Sequence, residues 1–395
     1  MKYFNITGQC NPQVHYMVNL EGRLKEIKKL VDRGDYFVIN RARQYGKTTT
    51  LKALVGYLKD EYTVVLMSFQ KFSTEQFANE HVFASAFAQA FIKAAGDLLK
   101  TGETVAGICE KLQKMAEDQS AKLNLGILFD CLADLCASAE KPIVLIVDEV
   151  DNASNNQVFI DFLAQLREFY IERIERFDMP TFRSVILAGV YDIKNLKSKI
   201  RPDSEHRYNS PWNIAAVFKV DMSFSASEIA GMLMEYESEH QTGMKVDKIA
   251  EEIFEYTDGY PFLVSYICHV MDEELPGEKR FHSPKSVWTR EGVSEAVKRI
   301  LGQPATLFDS MCRQIDLYPE LRKMIYAILF QGKSFSYNPD NFVVGIGTMF
   351  GFVKENSGLI EIANRIFEMR LYNLFLSEEE LNSAIHQSPK IRQLE

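Results

Sequence analysis

The residues best suited to chemistry in this sequence form a short motif that could bind phosphate. Gly46, Lys47 and Thr48 follow a polar loop at residues 41–45. In such a motif, backbone N–H groups at a helix start face the phosphate oxygens, the lysine contacts the β- and γ-phosphates, and the threonine hydroxyl binds Mg²⁺. The predicted phosphate-binding residues here are Arg43, Gln44, Tyr45, Gly46, Lys47, Thr48 and Thr49.

The sequence around this motif favours its two required neighbours, a strand before the loop and a helix after it. Residues 36–40 are apolar and β-prone, and a helical pattern begins at Lys47. The loop departs from the full motif at one place, because Arg41 stands where the first glycine is expected. An isolated Gly-Lys-Thr is usually an ordinary helix start, so the interpretation depends on a second motif.

That second motif is an acidic pair at the end of an apolar run. Residues 143–147 are consecutively apolar, as in a fully buried parallel strand, and Asp148 and Glu149 follow them. Ligands of α/β proteins bind at the carboxyl ends of such strands. We therefore expect Asp148 to hold the Mg²⁺ shell and Glu149 to act as general base on water. For the acidic pair taken alone, a helix-capping role is the alternative. The Gly-Lys-Thr motif upstream favours the catalytic role.

Five segments in the first 224 residues are predicted to be strands of a parallel sheet. Residues 75–140 are predicted to form a helical insertion between two of these strands. The strand segments are 36–40, 63–69, 143–147, 183–190 and 217–224. Residues 188–192, at the end of the fourth, have no Asn, Thr or Arg that could sense a γ-phosphate. This absence predicts slow hydrolysis.

Composition bounds the class of protein. The 395 residues are 46% hydrophobic and 25% charged, which suffices for two or three domains. No apolar run approaches the roughly 20 residues of a membrane span, no signal-peptide pattern begins the chain, and the six cysteines form no CxxC pair. These features predict a cytoplasmic protein without a membrane partner, zinc site or disulfide framework.

The net charge of −9 argues against a protein surface that, taken as a whole, attracts nucleic acid. The most basic segment, residues 191–216, reads best as a solvated loop. The alternative is that Arg201 or Arg207 acts in a neighbouring subunit's site or contacts a phosphate backbone.

The remainder of the chain reads as two further domains. Residues 225–300 are helical, and within them Gly259 ends one helix while Pro261 starts the next. Residues 301–376 show helices, a hairpin that turns at 356–358 and a closing helix at 365–375, the outline of a winged helix. Glu355 and Glu361 on that hairpin do not favour DNA. Residues 377–395 form a polar tail.

Together these motifs resemble AAA+-related ATPases, in particular the signal-transducing (STAND) and archaeal-type group akin to origin-recognition ATPases. The loop Arg41–Thr48 resembles that of bacterial AAA-like proteins that lack the first glycine. The resemblance covers residues 1–375. It implies an α/β fold with a P-loop NTPase core at 1–224, a helical lid at 225–300 and a winged helix at 301–376.

The resemblance also implies ATP and Mg²⁺ as cofactors, held between core and lid. It places Gly22 and Arg23, in a segment similar to the family's GRE-type motif, around adenine, and Pro261 near the base or ribose. Some relatives continue into a nuclease domain, whose residues are not found here. We further expect the loop to bend without the first glycine, with Arg41 or Arg43 facing phosphate or an acidic group.

Two functions follow as hypotheses. The first is a slow, regulated ATPase that acts as a nucleotide-dependent switch. The second is a nucleotide-gated module with little hydrolysis, whose winged helix binds DNA or a protein partner. A homo-oligomer is compatible with both, and a GTPase is disfavoured because no Asn-Lys-x-Asp motif occurs.

Overall fold

The computed structural model describes residues 2–96, 103–118, 123–176, 180–190 and 212–386, which divide into two compact units. The first unit contains the described residues of Met1–Asn19, Ala42–Gly46 and Met222–Glu395. The second contains those of Leu20–Arg41 and Lys47–Asp221. Five residues of the phosphate loop therefore belong to the first unit, whereas the strand before them and the helix after them belong to the second.

A parallel sheet of four strands forms the centre of the second unit, with the order β1-β4-β3-β2. Every residue of β3 and β4 is buried, as expected for a sheet covered on both faces. The strand carrying the acidic pair and the strand before the phosphate loop thus flank β4. The strands are β1 Tyr36–Asn40, β2 Thr63–Ser68, β3 Ile143–Asp148 and β4 Ser184–Gly189.

Helices cover this sheet, and three of them, α3 to α5, lie in sequence between β2 and β3. Phenylalanines dominate the packing: the rings of Phe87 and Phe162 lie 4.9 Å apart, and both are fully buried. Such rings bury large apolar areas, which stabilises the unit. The helices are α1 Glu21–Arg33, α2 Lys47–Leu58, α3 Glu80–Ala95, α4 Glu103–Glu117, α5 Leu125–Ser138 and α6 Gln157–Glu175.

The predicted fifth strand, residues 217–224, is not formed, and the prediction of five strands was wrong. The segment's neighbour Ala216 makes only an isolated bridge to Phe37. Two carbonyl groups of the segment accept hydrogen bonds from arginine side chains instead of from a strand. Arg41 Nη2 donates to the Val220 oxygen, and Arg23 Nε donates to the Asp221 oxygen, each at 3.0 Å.

The first unit is mainly helical and ends in a hairpin and a long helix. The antiparallel hairpin joins β5 Val353–Asn356 to β6 Leu359–Ile362, with the turn at the expected place. The helices are α7 Ala226–His240, α8 Val246–Thr257, α9 Pro261–His269, α10 Pro284–Val287, α11 Arg290–Gly302, α12 Thr306–Leu317, α13 Pro319–Gln331, α14 Phe342–Met349 and α15 Arg365–His386.

Helix α7 is capped by Ser225, whose side chain accepts from the Glu228 N–H in a capping box. Helix α1 starts at Glu21 after Leu20. The last helix runs past residue 375 to His386. Among the described residues, no helix combines the length and apolar character needed to cross a membrane.

Candidate functional site

A buried cation lies at the start of helix α2 in the second unit. Lys47 is the first residue of α2 and is only 8% exposed. Its Nζ donates to the Arg41 carbonyl oxygen at 2.8 Å, so the side chain lies along the backbone that leads into the loop. A positive charge and backbone N–H groups at one helix N-terminus favour an anion there.

The two motifs of the sequence meet at one hydrogen bond. Thr48 Oγ1 donates to Asp148 Oδ2 at 2.7 Å, and Asp148 is 5% exposed. A hydroxyl and a carboxylate are oxygen ligands of the kind that Mg²⁺ takes. Within the described ranges, no group of three His, Cys, Asp or Glu side chains could hold a metal by itself. Mg²⁺ usually combines one or two protein oxygens with water and substrate phosphates, so one hydroxyl and one carboxylate are suitable protein ligands for it.

Glu149 has an unusual backbone conformation for a residue with a side chain. Its φ of 55° and ψ of 42° lie in the left-handed region, which costs an L-residue about 1–2 kcal/mol. Its N–H donates to Asp148 Oδ1 at 2.9 Å, and its carbonyl accepts from the Asn152 N–H at 3.3 Å. Strain of this kind occurs where surrounding bonds enforce it, and it is enriched at active sites.

Asp151 connects the acidic turn, which contains Asp148 and Glu149, to the end of β4 by a hydrogen bond. Its Oδ2 accepts from the Val190 N–H at 2.7 Å. A Cβ placed on Gly189 would lie 2.7 Å from Asp151 Oδ1, so a side chain at this position would displace the carboxylate. Asp151 was not among the residues predicted from the sequence, although an aspartate two residues after Glu149 and a glycine at a strand end were visible signals. The described end of β4 offers no polar side chain, while Tyr191 and Asp192 fall outside the described residues.

The phosphate loop bends without the first glycine of the full motif. Gln44 and Gly46 have φ values of 57° and 75°, so two positions supply left-handed backbone. Within the first unit, the Tyr45 hydroxyl lies 2.8 Å from Ser223 Oγ, and Gln44 Nε2 donates to Thr306 Oγ1 at 3.2 Å. The loop therefore has partners from the helical unit to which it belongs.

The two arginines of the loop differ in their surroundings. The Arg41 guanidinium donates to the carbonyl oxygens of Asn40 and Val220, each at 3.0 Å, and lies 5.3 Å from the Phe218 ring. Arg43 is exposed. Contact of either arginine with phosphate stays a prediction.

The remaining predicted site residues lie in different units. Gly22 and Arg23 are in the first turn of α1 in the second unit, where Arg23 is buried and Gly22 is exposed. Pro261 is buried at the start of α9 in the first unit. Their roles around the base and ribose stay predictions. Arg201 and Arg207 lie outside the described residues.

A parallel sheet with a Gly-Lys-Thr loop after its first strand and an acidic pair after another, fully buried strand defines the class of P-loop ATPase folds. The comparison with protein families agrees. The model of the AAA-like domain matches residues 11–279, more than half of the chain. The protein therefore belongs to the family with the AAA-like domain. No curated protein matches the chain.

Solved structures with a similar fold include a Walker-type ATPase of Pyrococcus abyssi. It is 13% identical with a TM-score of 0.60, and the alignment covers 93% of this chain and 99% of that one. At this identity the similarity shows the fold alone. The Aeropyrum pernix ORC2 protein (12% identity, TM-score 0.47, 95% and 97% covered) and the Thermotoga maritima RuvB Holliday junction branch migration motor (11%, 0.41, 89% and 93%) also match.

Proposed function

We propose that the protein binds ATP with Mg²⁺ at the phosphate loop and hydrolyses it slowly, as a nucleotide-dependent switch. The observation that carries this proposal is the 2.7 Å bond between Thr48 and Asp148. These residues come from the two motifs and are 100 positions apart in sequence. A hydroxyl and a carboxylate brought together beside a buried lysine suit a magnesium–phosphate complex better than a purely structural contact.

Each residue then has a definite role. Lys47 neutralises the β- and γ-phosphates, and the backbone N–H groups of the loop hold their oxygens. Thr48 and Asp148 would hold Mg²⁺, which neutralises charge on the same phosphates when bound. Glu149 accepts a proton from the attacking water, and its enforced backbone conformation fixes where the side chain starts.

The end of β4 supports slow turnover. Gly189 and Val190 have no polar side chain that could bind a γ-phosphate. The Val190 N–H donates a hydrogen bond to Asp151 Oδ2. Transition-state stabilisation from that strand is therefore missing in the described residues. Slow turnover suits a protein whose nucleotide state, rather than its rate, is the output.

The alternative function is a nucleotide-gated binding module, and one observation bears on its partner. The helices and hairpin at 306–386 follow the order expected for a winged helix, in which α14 would occupy the position of the recognition helix. No residue of α14 is charged, and its Phe342 is 68% exposed. DNA binding depends on Lys and Arg contacts to phosphate, so this helix favours a protein partner.

Phosphate release by the full chain, measured with and without duplex DNA, separates these functions. We expect slow release by the wild type, no stimulation by DNA, and loss of release in Glu149→Gln. Tight ATP binding without any release by the wild type would rule out the ATPase. Release that rises with DNA would contradict the protein partner.

A further inference from the structure

The phosphate loop and the Gly-Tyr-Pro turn touch each other within the first unit. The Tyr260 hydroxyl donates to the Arg43 carbonyl oxygen at 2.5 Å, and Tyr260 is 3% exposed. Burial raises the pKa of Tyr260, so its hydroxyl stays protonated and remains a donor. This is a bond between residues 217 positions apart in sequence.

The position of Tyr260 is fixed by the glycine before it. Gly259 has a φ of +69°, and a Cβ there would lie 1.9 Å from the Phe224 carbonyl oxygen. The Phe224 N–H donates to the Gly259 oxygen at 2.8 Å. The turn at Gly259 therefore packs directly against the backbone of Phe224, and this contact fixes the position of the Tyr260 ring.

The ring of Tyr260 also contacts two other aromatic rings. It meets Tyr45 edge to face at 4.7 Å and 72°, and Phe367 at 5.3 Å and 72°. Such pairs add about 0.5–1.5 kcal/mol beyond area burial. A Cβ on Gly351 would lie 2.9 Å from the Ala42 Cβ. The segment after α14 therefore packs closely against the start of the phosphate loop.

A planar trans peptide has its C=O and N–H pointing in opposite directions. Binding of the Arg43 oxygen to Tyr260 therefore directs the N–H of Gln44 to the other side. Backbone N–H groups are what a phosphate loop offers to its anion. The Tyr260 hydroxyl, which lies outside the loop, holds this peptide through the Arg43 oxygen.

We propose that Tyr260 is a positioning residue of the phosphate loop: it sets nucleotide affinity by orienting the peptide between Arg43 and Gln44, without contacting the nucleotide. This inference rests on the proposed function. A loop that is already oriented loses less freedom on binding, and loss of one hydrogen bond of this kind weakens affinity about three- to tenfold. Coupling is reciprocal, so bound nucleotide strengthens the hold of the turn on the loop.

Tyr260→Phe removes the hydroxyl and keeps the ring, and the helix α9 supplies a matched control. Tyr266 is also buried, and its hydroxyl donates to Gln303 Oε1 at 2.9 Å, away from the loop. We expect Tyr260→Phe to bind MgADP three- to tenfold more weakly than the wild type by calorimetry, and Tyr266→Phe to bind it equally. Tyr260→Phe should raise the KM for ATP and leave kcat unchanged.

Hydrogen exchange without nucleotide tests the loop directly. The amides of residues 43–47 should exchange faster in Tyr260→Phe than in the wild type or Tyr266→Phe. Unchanged or tighter MgADP binding by Tyr260→Phe, or equal weakening in both variants, overturns the proposal. If the wild type binds no MgADP, the proposed function fails, and the exchange rates still decide whether Tyr260 holds the loop.

Discussion

Replacement of Glu149 by glycine should give a more stable protein than replacement by alanine, and both replacements should strongly reduce turnover. Glu149 has a φ of 55°, and alanine keeps the cost of that conformation. This cost is about 1–2 kcal/mol for a residue with a Cβ. Glycine avoids it but loses about 0.5–1 kcal/mol more conformational entropy on folding. We therefore expect Glu149→Gly to be about 0.5–1 kcal/mol more stable than Glu149→Ala.

Both variants lack the carboxylate that accepts the water proton. General-base catalysis contributes roughly 10²- to 10⁴-fold, so phosphate release should fall by that factor in both. Nucleotide affinity should stay near that of the wild type, because Lys47 and Thr48 are untouched. The measurements are urea unfolding, calorimetric binding of MgADP and phosphate release.

Gln241 provides a matched control for the backbone effect. It has a φ of 49° at the end of α7 and is exposed. Gln241→Gly should exceed Gln241→Ala in stability by a similar amount, with turnover equal to that of the wild type. Equal stability of Glu149→Gly and Glu149→Ala, or wild-type turnover in either, would refute the reasoning.

Two glycines give further predictions. In Gly259→Ala, the new Cβ would lie 1.9 Å from a backbone oxygen. The free energy of unfolding should therefore fall by about 1–3 kcal/mol, as measured by denaturant titration. The control is Gly231→Ala, whose Cβ would meet nothing within 4 Å and which should not lower the free energy of unfolding. Gly189→Ala would place a Cβ 2.7 Å from Asp151 Oδ1 and should reduce phosphate release at least about tenfold by displacing the acidic turn, with unchanged MgADP affinity. A stable Gly259→Ala or a fully active Gly189→Ala would contradict these contacts.

Local patterns in the sequence were enough to predict much of the fold. The apolar run at 143–147 specifies a buried strand of the parallel sheet, and the residues at 356–358 specify the turn of a hairpin. The family of the AAA-like domain was also within reach, because Gly46-Lys47-Thr48 and Asp148-Glu149 are short motifs with fixed chemistry.

What the sequence did not predict depends on contacts between distant residues. The segment at 217–224 has strand-like residues, but the side chains of Arg23 and Arg41 bind two of its backbone carbonyls. The left-handed conformation of Glu149 is enforced by its neighbours and not by its type. The bond from Tyr260 to the Arg43 carbonyl has no local signal at all.

Equilibrium binding of MgATP to the wild type and to Lys47→Ala tests the central claim most directly. Lys52→Ala is the matched control, since Lys52 is exposed on the same helix. Loss of a charged hydrogen-bond donor to phosphate should weaken binding roughly 10- to 150-fold in Lys47→Ala and leave Lys52→Ala like the wild type. Wild-type affinity in Lys47→Ala would show that the nucleotide does not bind at this loop.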